Sequence, residues 1–165
     1  MDHASMHHGD HAAHPVTGMP RTALNALAWS ATLHCLTGCA IGEVLGMVIG
    51  TALGWDNLAT IALAVVLAFL FGYALTMRPL LASGMAFPNA AKLALAADTA
   101  SITVMEIVDN AIMLVIPGAM DAGLDSLLFW GSLAVALALA AVAALPVNRW
   151  LIARGKGHAV VHAHH

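Results

Sequence analysis

The sequence predicts an all-α integral membrane protein: a bundle of four transmembrane helices with both termini in the cytoplasm. Three observations carry that expectation. Apolar residues make up 61% of the 165-residue chain and charged residues only 9%, with a mean hydropathy of +0.85, whereas a soluble domain carries about 25% charged residues. Apolar runs near the roughly 20 residues that cross a bilayer recur along the chain. With four spans drawn through those runs, all six Lys and Arg fall on one side.

The chain opens with a His/Met-rich tail, 1–22. "MDHASMHHGDHAAH" holds His3, His7, His8, His11 and His14 with Met1 and Met6. It lacks the basic start and apolar centre of a secretory signal peptide. The transmembrane domain follows at 23–153, with spans expected at about 23–54, 58–77, 91–116 and 126–151. Breaks fall at "GWDN", at "MRPLLASGMAFPNAAK" and at "PGAMDAGLD", each rich in turn formers. A basic and then His-rich tail, 154–165, closes the chain with His158, His162, His164 and His165.

Arg21, Arg78, Lys92, Arg149, Arg154 and Lys156 flank the termini and the middle loop, while Asp56, Asp121 and Asp125 occupy the other two loops. The positive-inside rule therefore places the termini and the middle loop in the cytoplasm, for a multi-pass protein of the cell inner membrane. Trp29, Trp55, Trp130 and Trp150 lie near span ends, where indole rings favour the interface. From Trp29 to Trp55 is about 39 Å of helix at about 1.5 Å per residue, close to a bilayer with its headgroups. Glu43 falls near the midpoint.

Span one, around "LHCLTGCAIGEVLGMVIG", repeats glycine at every fourth residue: Gly38, Gly42, Gly46, Gly50 and Gly54. Small residues at this spacing let helix backbones approach closely in lipid. The stripe serves packing, against a helix of the same chain or of a second copy in a homo-oligomer. Beside it, with the same period, run Cys35, Cys39, Glu43 and Met47, with His34 at the edge. Residues four apart stack on one helix face.

Span two is almost featureless and is expected to serve packing. Span three carries Asp98, Met105, Asp109 and Met113 on one face, with Ser101 and Glu106 at its edges. Spans one and three run the same way through the membrane. Their depths pair His34 and Cys35 with Asp98, Cys39 with Ser101, Glu43 with Met105 and Glu106, and Met47 with Asp109. A carboxyl at such depth is costly and marks a functional site by default. Glu43, Asp98, Glu106 and Asp109 have no basic partner at their depth, so each needs a proton, a hydroxyl or amide donor, or a bound cation.

Short His-rich tracts read as metal binding. Thiolate and thioether favour soft Cu(I), imidazole also serves Zn, Ni and Fe, and carboxylates pull toward harder ions. The expected metal-ligand set is His34, Cys35, Cys39, Glu43, Met47, Asp98, Met105, Glu106 and Asp109, with the tail histidines as cytoplasmic metal buffers.

"LHCLTGCAIGEVLG", "DTASITVMEIVDN" and "PVNRWLIARGKGH" resemble a family of small bacterial four-helix membrane proteins known only as a domain of unknown function. That resemblance covers nearly all of the chain except its His-rich start. It implies a fold and no settled activity. In ligand chemistry alone the chain is also similar to the Ctr copper transporters, which likewise begin with Met/His clusters. It departs from them in its four expected spans, in its cytoplasmic start and in lacking an MxxxM pair in span two.

The function expected from these residues is a membrane transporter or channel for a transition metal ion, Cu(I) favoured. The alternatives are a non-transporting metal-binding membrane protein (a sensor, a metallochaperone or a redox protein using the two cysteines) and a structural scaffold whose buried acids are neutral. The expected partners are the metal ion and the lipid bilayer. Phosphate loops, nucleophile elbows and basic nucleic-acid surfaces are missing from the sequence, so no enzyme and no nucleic-acid binder is expected.

Overall fold

A computed structural model describes residues 20–154 as four helices, α1 (Arg21–Leu53), α2 (Asn57–Ala82), α3 (Phe87–Val115) and α4 (Leu127–Ala153), with no strand among the described residues. The tail histidines, His3 to His14 and His158 to His165, lie outside the described residues.

The helix ends follow from local chemistry. Gly54 terminates α1 in the left-handed region at φ 66°, its N–H reaching the Gly50 and Thr51 carbonyls. Glycine takes that conformation without a Cβ penalty. Two residues on, the Asp56 carboxylate accepts from Ala59 N at 2.9 Å and caps α2. Ser126 caps α4 by accepting from Leu128 N at 3.1 Å.

The middle connection is shorter than expected. α2 continues through Pro79 to Ala82 and α3 starts at Phe87 with a proline in its first turn, leaving only residues 83–86 between them. Pro88 fits because the first helical N–H groups have no intrahelical partner. Pro79 removes one hydrogen bond in the last turn of α2, which helices in apolar surroundings tolerate when neighbours satisfy the freed groups. Ser83 helps to close the end, its N–H reaching Pro79 O at 3.0 Å and its hydroxyl donating to Leu80 O at 2.7 Å.

The glycine stripe is the α1–α2 seam. A Cβ built on Gly38 would stand 2.7 Å from Gly72 Cα, and one on Gly46 2.5 Å from Ala64 Cα. One on Gly42 would meet the Ala68 backbone, and one on Gly50 the Thr60 side chain. All four faces are thus used inside the chain. Gly54 has nothing within 4 Å of such a Cβ and serves as a helix stop instead.

Opposite the glycines, α2 presents Thr60, Ala64, Ala68, Gly72, Thr76 and Leu80, all buried and four apart. α4 repeats the device with Ser132, Ala136, Ala140, Ala144, Asn148 and Ile152. Dispersion between closely approached backbones replaces the hydrophobic effect in such seams.

α1, α2 and α4 are long and apolar enough to cross a membrane. α3 is 29 residues long but carries Lys92, Asp98, Glu106 and Asp109. Its three acids face inward, at 0%, 5% and 2% exposure, while Leu95, Ile107, Leu114 and Val115 face out. Trp29, Trp55, Trp130 and Trp150 are each about half exposed.

Candidate functional site

Acidic, thiol and thioether side chains meet where α1 lies against α3, and three levels can be distinguished. At the level nearest the α2–α3 turn, Cys35 Sγ donates to Asp98 Oδ1 at 3.7 Å, and the thiol also lies within reach of the Ser101 hydroxyl. Thr76 on α2 stands 3.0 Å from His34 Nε2 and within reach of the Asp98 carboxyl. On the α4 side, Asn148 Nδ2 donates to Thr32 Oγ1 and to Ser101 Oγ, each at 2.9 Å. Every helix contributes to this level. Each of these side chains except the half-buried His34 is shielded from solvent.

One turn further along, Cys39 Sγ lies 4.0 Å from Met105 Sδ. The two sulphurs sit in an apolar cluster with Ile102, Ala68, Ala140 and Ala144. The Glu106 carboxyl is a near neighbour of the Cys39 thiol, with no hydrogen bond between them.

The third level is acidic. Glu43 lies within hydrogen-bonding reach of both Glu106 and Asp109. Yet Glu43 Oε1 and both carboxyl oxygens of Glu106 and of Asp109 are buried without a donor among the described residues. An ionised carboxylate only accepts hydrogen bonds. Contacts between these three groups are therefore hydrogen bonds only where one of them carries a proton. Asn110, next to Asp109 in sequence, does not help, because its Nδ2 donates to the Glu106 backbone carbonyl at 2.9 Å.

Like charges packed this closely cannot all ionise without a compensating cation. Exposure of only 2% for Glu43, 5% for Glu106 and 2% for Asp109 removes the water that would otherwise screen them. Beyond the acids, Met47 and Met113 close the row inside an apolar cluster with Phe129 and Leu133.

The depth pairing expected from the sequence holds at Cys35 with Asp98 and at Glu43 with Glu106. It slips elsewhere: Cys39 meets Met105 rather than Ser101, which stays with Cys35 and Asn148, and Asp109 reaches Glu43. Separations of 63 (Cys35–Asp98, Glu43–Glu106) and of 66 (Cys39–Met105, Glu43–Asp109) alternate, so an α1 side chain meets α3 residues about one turn apart, which pairing by depth alone ignores. Among the described residues, no three His, Cys, Asp or Glu side chains close around one point as a metal cage.

Thr76, Thr32 and Asn148 belong to the site and were not among the expected residues. The featureless second span hides Thr76 as the fifth member of its small-residue stripe, and Asn148 occupies the equivalent position in the stripe of α4. A polar residue recurring at the spacing of a packing stripe was the signal available.

No curated protein and no solved structure matches the chain. A family model described as a domain of unknown function, DUF4396, matches residues 25–157. The matched stretch contains the residues of all three levels, Thr76 and Asn148 included, and the chain belongs to this family.

Proposed function

We propose that the chain crosses the inner membrane four times, with both termini in the cytoplasm, and carries a transition metal ion, Cu(I) foremost, along the α1–α3 interface. The four-span topology rests on α3. Its acids are turned into the bundle and its outer face is apolar, so a helix too polar by composition offers lipid a suitable surface. The chain then also keeps all its Lys and Arg on one side.

The observation that carries the transport proposal is the three-carboxyl level. Glu43 lies within hydrogen-bonding reach of Glu106 and Asp109, and the three are sealed from solvent and have five oxygens without a donor among the described residues. Such a group lacks positive charge. One turn away stands the Cys39–Met105 sulphur pair, and one turn beyond that the Cys35 thiol beside Asp98. Soft ligands favour Cu(I) over harder ions.

Conduction requires sites that bind well enough to admit an ion and loosely enough to release it. A row of thiol, thioether and carboxyl stations meets that requirement better than a storage site would. This favours transport over a sensor or chaperone. The tail histidines would load or unload the cytoplasmic end.

Metal content of the purified full chain tests the binding half of the proposal. The protein should hold Cu in excess of a tail-deleted Cys35→Ser/Cys39→Ser/Glu43→Gln control. Equal amounts of Cu, Zn, Ni and Fe in both would rule out an intramembrane metal site.

A further inference from the structure

Away from the α1–α3 interface, the first turns of α1 run beside the last turns of α4. A recess of about 410 Å³ opens there, lined by Asn25, Ala28, Trp29, Leu145, Pro146 and Arg149. Buried Ala28 and half-buried Leu145 belong to its apolar part. The Arg149 guanidinium, the Asn25 amide and the Trp29 indole each bring N–H donors, and Arg149 brings a permanent positive charge.

The protein itself uses none of these donors. Arg149 has no ion pair, and Asn25 and Trp29 have no side-chain hydrogen bond, among the described residues. The two tryptophans of α4 are engaged: Trp130 donates its indole N–H to Leu124 O at 2.8 Å, and Trp150 lies under Arg154. No acid answers the charge either. α4 contains none, and the acid of α1, Glu43, is about five turns from Asn25. Arg21 and Arg154 stand exposed at the same end and add to the positive field.

Toward the middle of the bilayer the same row of α1 continues. Trp29, Leu33, Thr37 and Ile41 are four apart and share a face. The side chains from Leu33 to Leu45 line an apolar groove of about 620 Å³ with Leu137 of α4. Its one hydroxyl, Thr37, is satisfied by donating to Leu33 O at 2.8 Å. From Leu33 to Leu45 is about 18 Å of helix at about 1.5 Å per residue. That length crosses one leaflet of a hydrocarbon core about 30 Å thick.

We propose that this face holds one anionic phospholipid as a resident ligand. The phosphodiester sits among Arg149, Asn25 and Trp29, and an acyl chain lies along the Leu33–Leu45 groove. Basic pockets between membrane helices take anionic headgroups. An arginine fork matches phosphate oxygens, and indole rings favour headgroup depth. A soluble anion would meet the recess alone and leave the groove bare, whereas a lipid meets both. The site rests on the membrane-spanning reading of α1 and α4 above and is independent of the metal path.

The test uses the full chain in mild detergent without added metal. Phosphatidylglycerol and phosphatidylcholine with identical acyl chains are offered in equal amounts, and retained lipid is read by native mass spectrometry. The expected result is one retained lipid per chain, with phosphatidylglycerol favoured at least about fivefold, the contribution of one basic residue beside a membrane surface. Arg149→Gln should remove that preference, whereas Arg78→Gln, at an exposed arginine of α2 outside the recess, should keep it. Equal retention of the two lipids by the wild type, or equal loss of preference in both arginine variants, overturns the site and leaves the transport proposal standing. Displacement of the lipid by inorganic phosphate assigns the recess to a free anion and overturns the lipid. Recovery of the chain in the soluble fraction without detergent overturns the membrane-spanning reading, and the site with it.

Discussion

Glu106 concentrates the conflict between folding and function in a single side chain. Both its carboxyl oxygens are buried without a donor among the described residues, and it lies within hydrogen-bonding reach of Glu43. Leaving a buried polar group unsatisfied costs about 1–3 kcal/mol. Glu106→Gln keeps the shape, removes one like charge and supplies an amide donor to Glu43. The variant should therefore be more stable by about 1 kcal/mol in a detergent unfolding titration, while its copper occupancy falls. A scaffold with neutral acids predicts no change in copper occupancy. Opposite signs for stability and occupancy are the mark of a residue retained for a ligand rather than for the fold.

At the scale of the element, the seams decide what the helices can tolerate. A Cβ on Gly42 would collide with the Ala68 backbone, whereas one on Gly131 meets open space. Gly42→Ala should lower stability by about 1–3 kcal/mol, the usual cost of overpacking. Gly131→Ala in the interior of α4 should raise it by up to about 1 kcal/mol through helix propensity. Unfolding of the two variants side by side checks both signs. Asn148 ties α4 to Thr32 of α1 and Ser101 of α3. Asn148→Leu should cost about 1 kcal/mol in the same assay, near the value of an interhelical hydrogen bond in lipid.

How legible these elements were depended on whether one helix carried the whole signal. The glycine stripe, the Cys–Glu–Met stripe beside it and the inward acids of α3 are each periodic within a single segment, and all were readable. Partner choice was not. Gly42 meets Ala68 because of how two helices cross, and nothing in the spacing of span one distinguishes α2 from a second copy of the chain. Thr76 was missed because one hydroxyl in a strongly apolar run looks incidental until Asp98 and His34 are brought beside it. Pro79 misled in the other direction: read as a helix breaker, it lies inside α2, where the next turn closes normally around Ser83.

For the whole molecule, the status of α3 controls topology. The three apolar helices alone would place the termini on opposite sides of the membrane. A fourth span through α3 returns them to the same side. Reporter fusions at each end, in cells, separate these arrangements, and both should report the cytoplasm. Opposite signals would remove α3 from the bilayer and with it the continuous track. Half-exposed Trp29, Trp55, Trp130 and Trp150, together with Arg154 lying 4.2 Å over the Trp150 ring, fit helix ends at an interface.

Transport is the claim on which the rest of the functional account depends, and copper entry into liposomes tests it most directly. Wild-type protein should carry reduced copper at a rate that saturates with concentration. A Cys39→Ser/Glu106→Gln double variant, folded to the same extent, should fall at least tenfold toward the rate of empty liposomes. Equal rates for wild type, double variant and empty liposomes would contradict an ion path between α1 and α3.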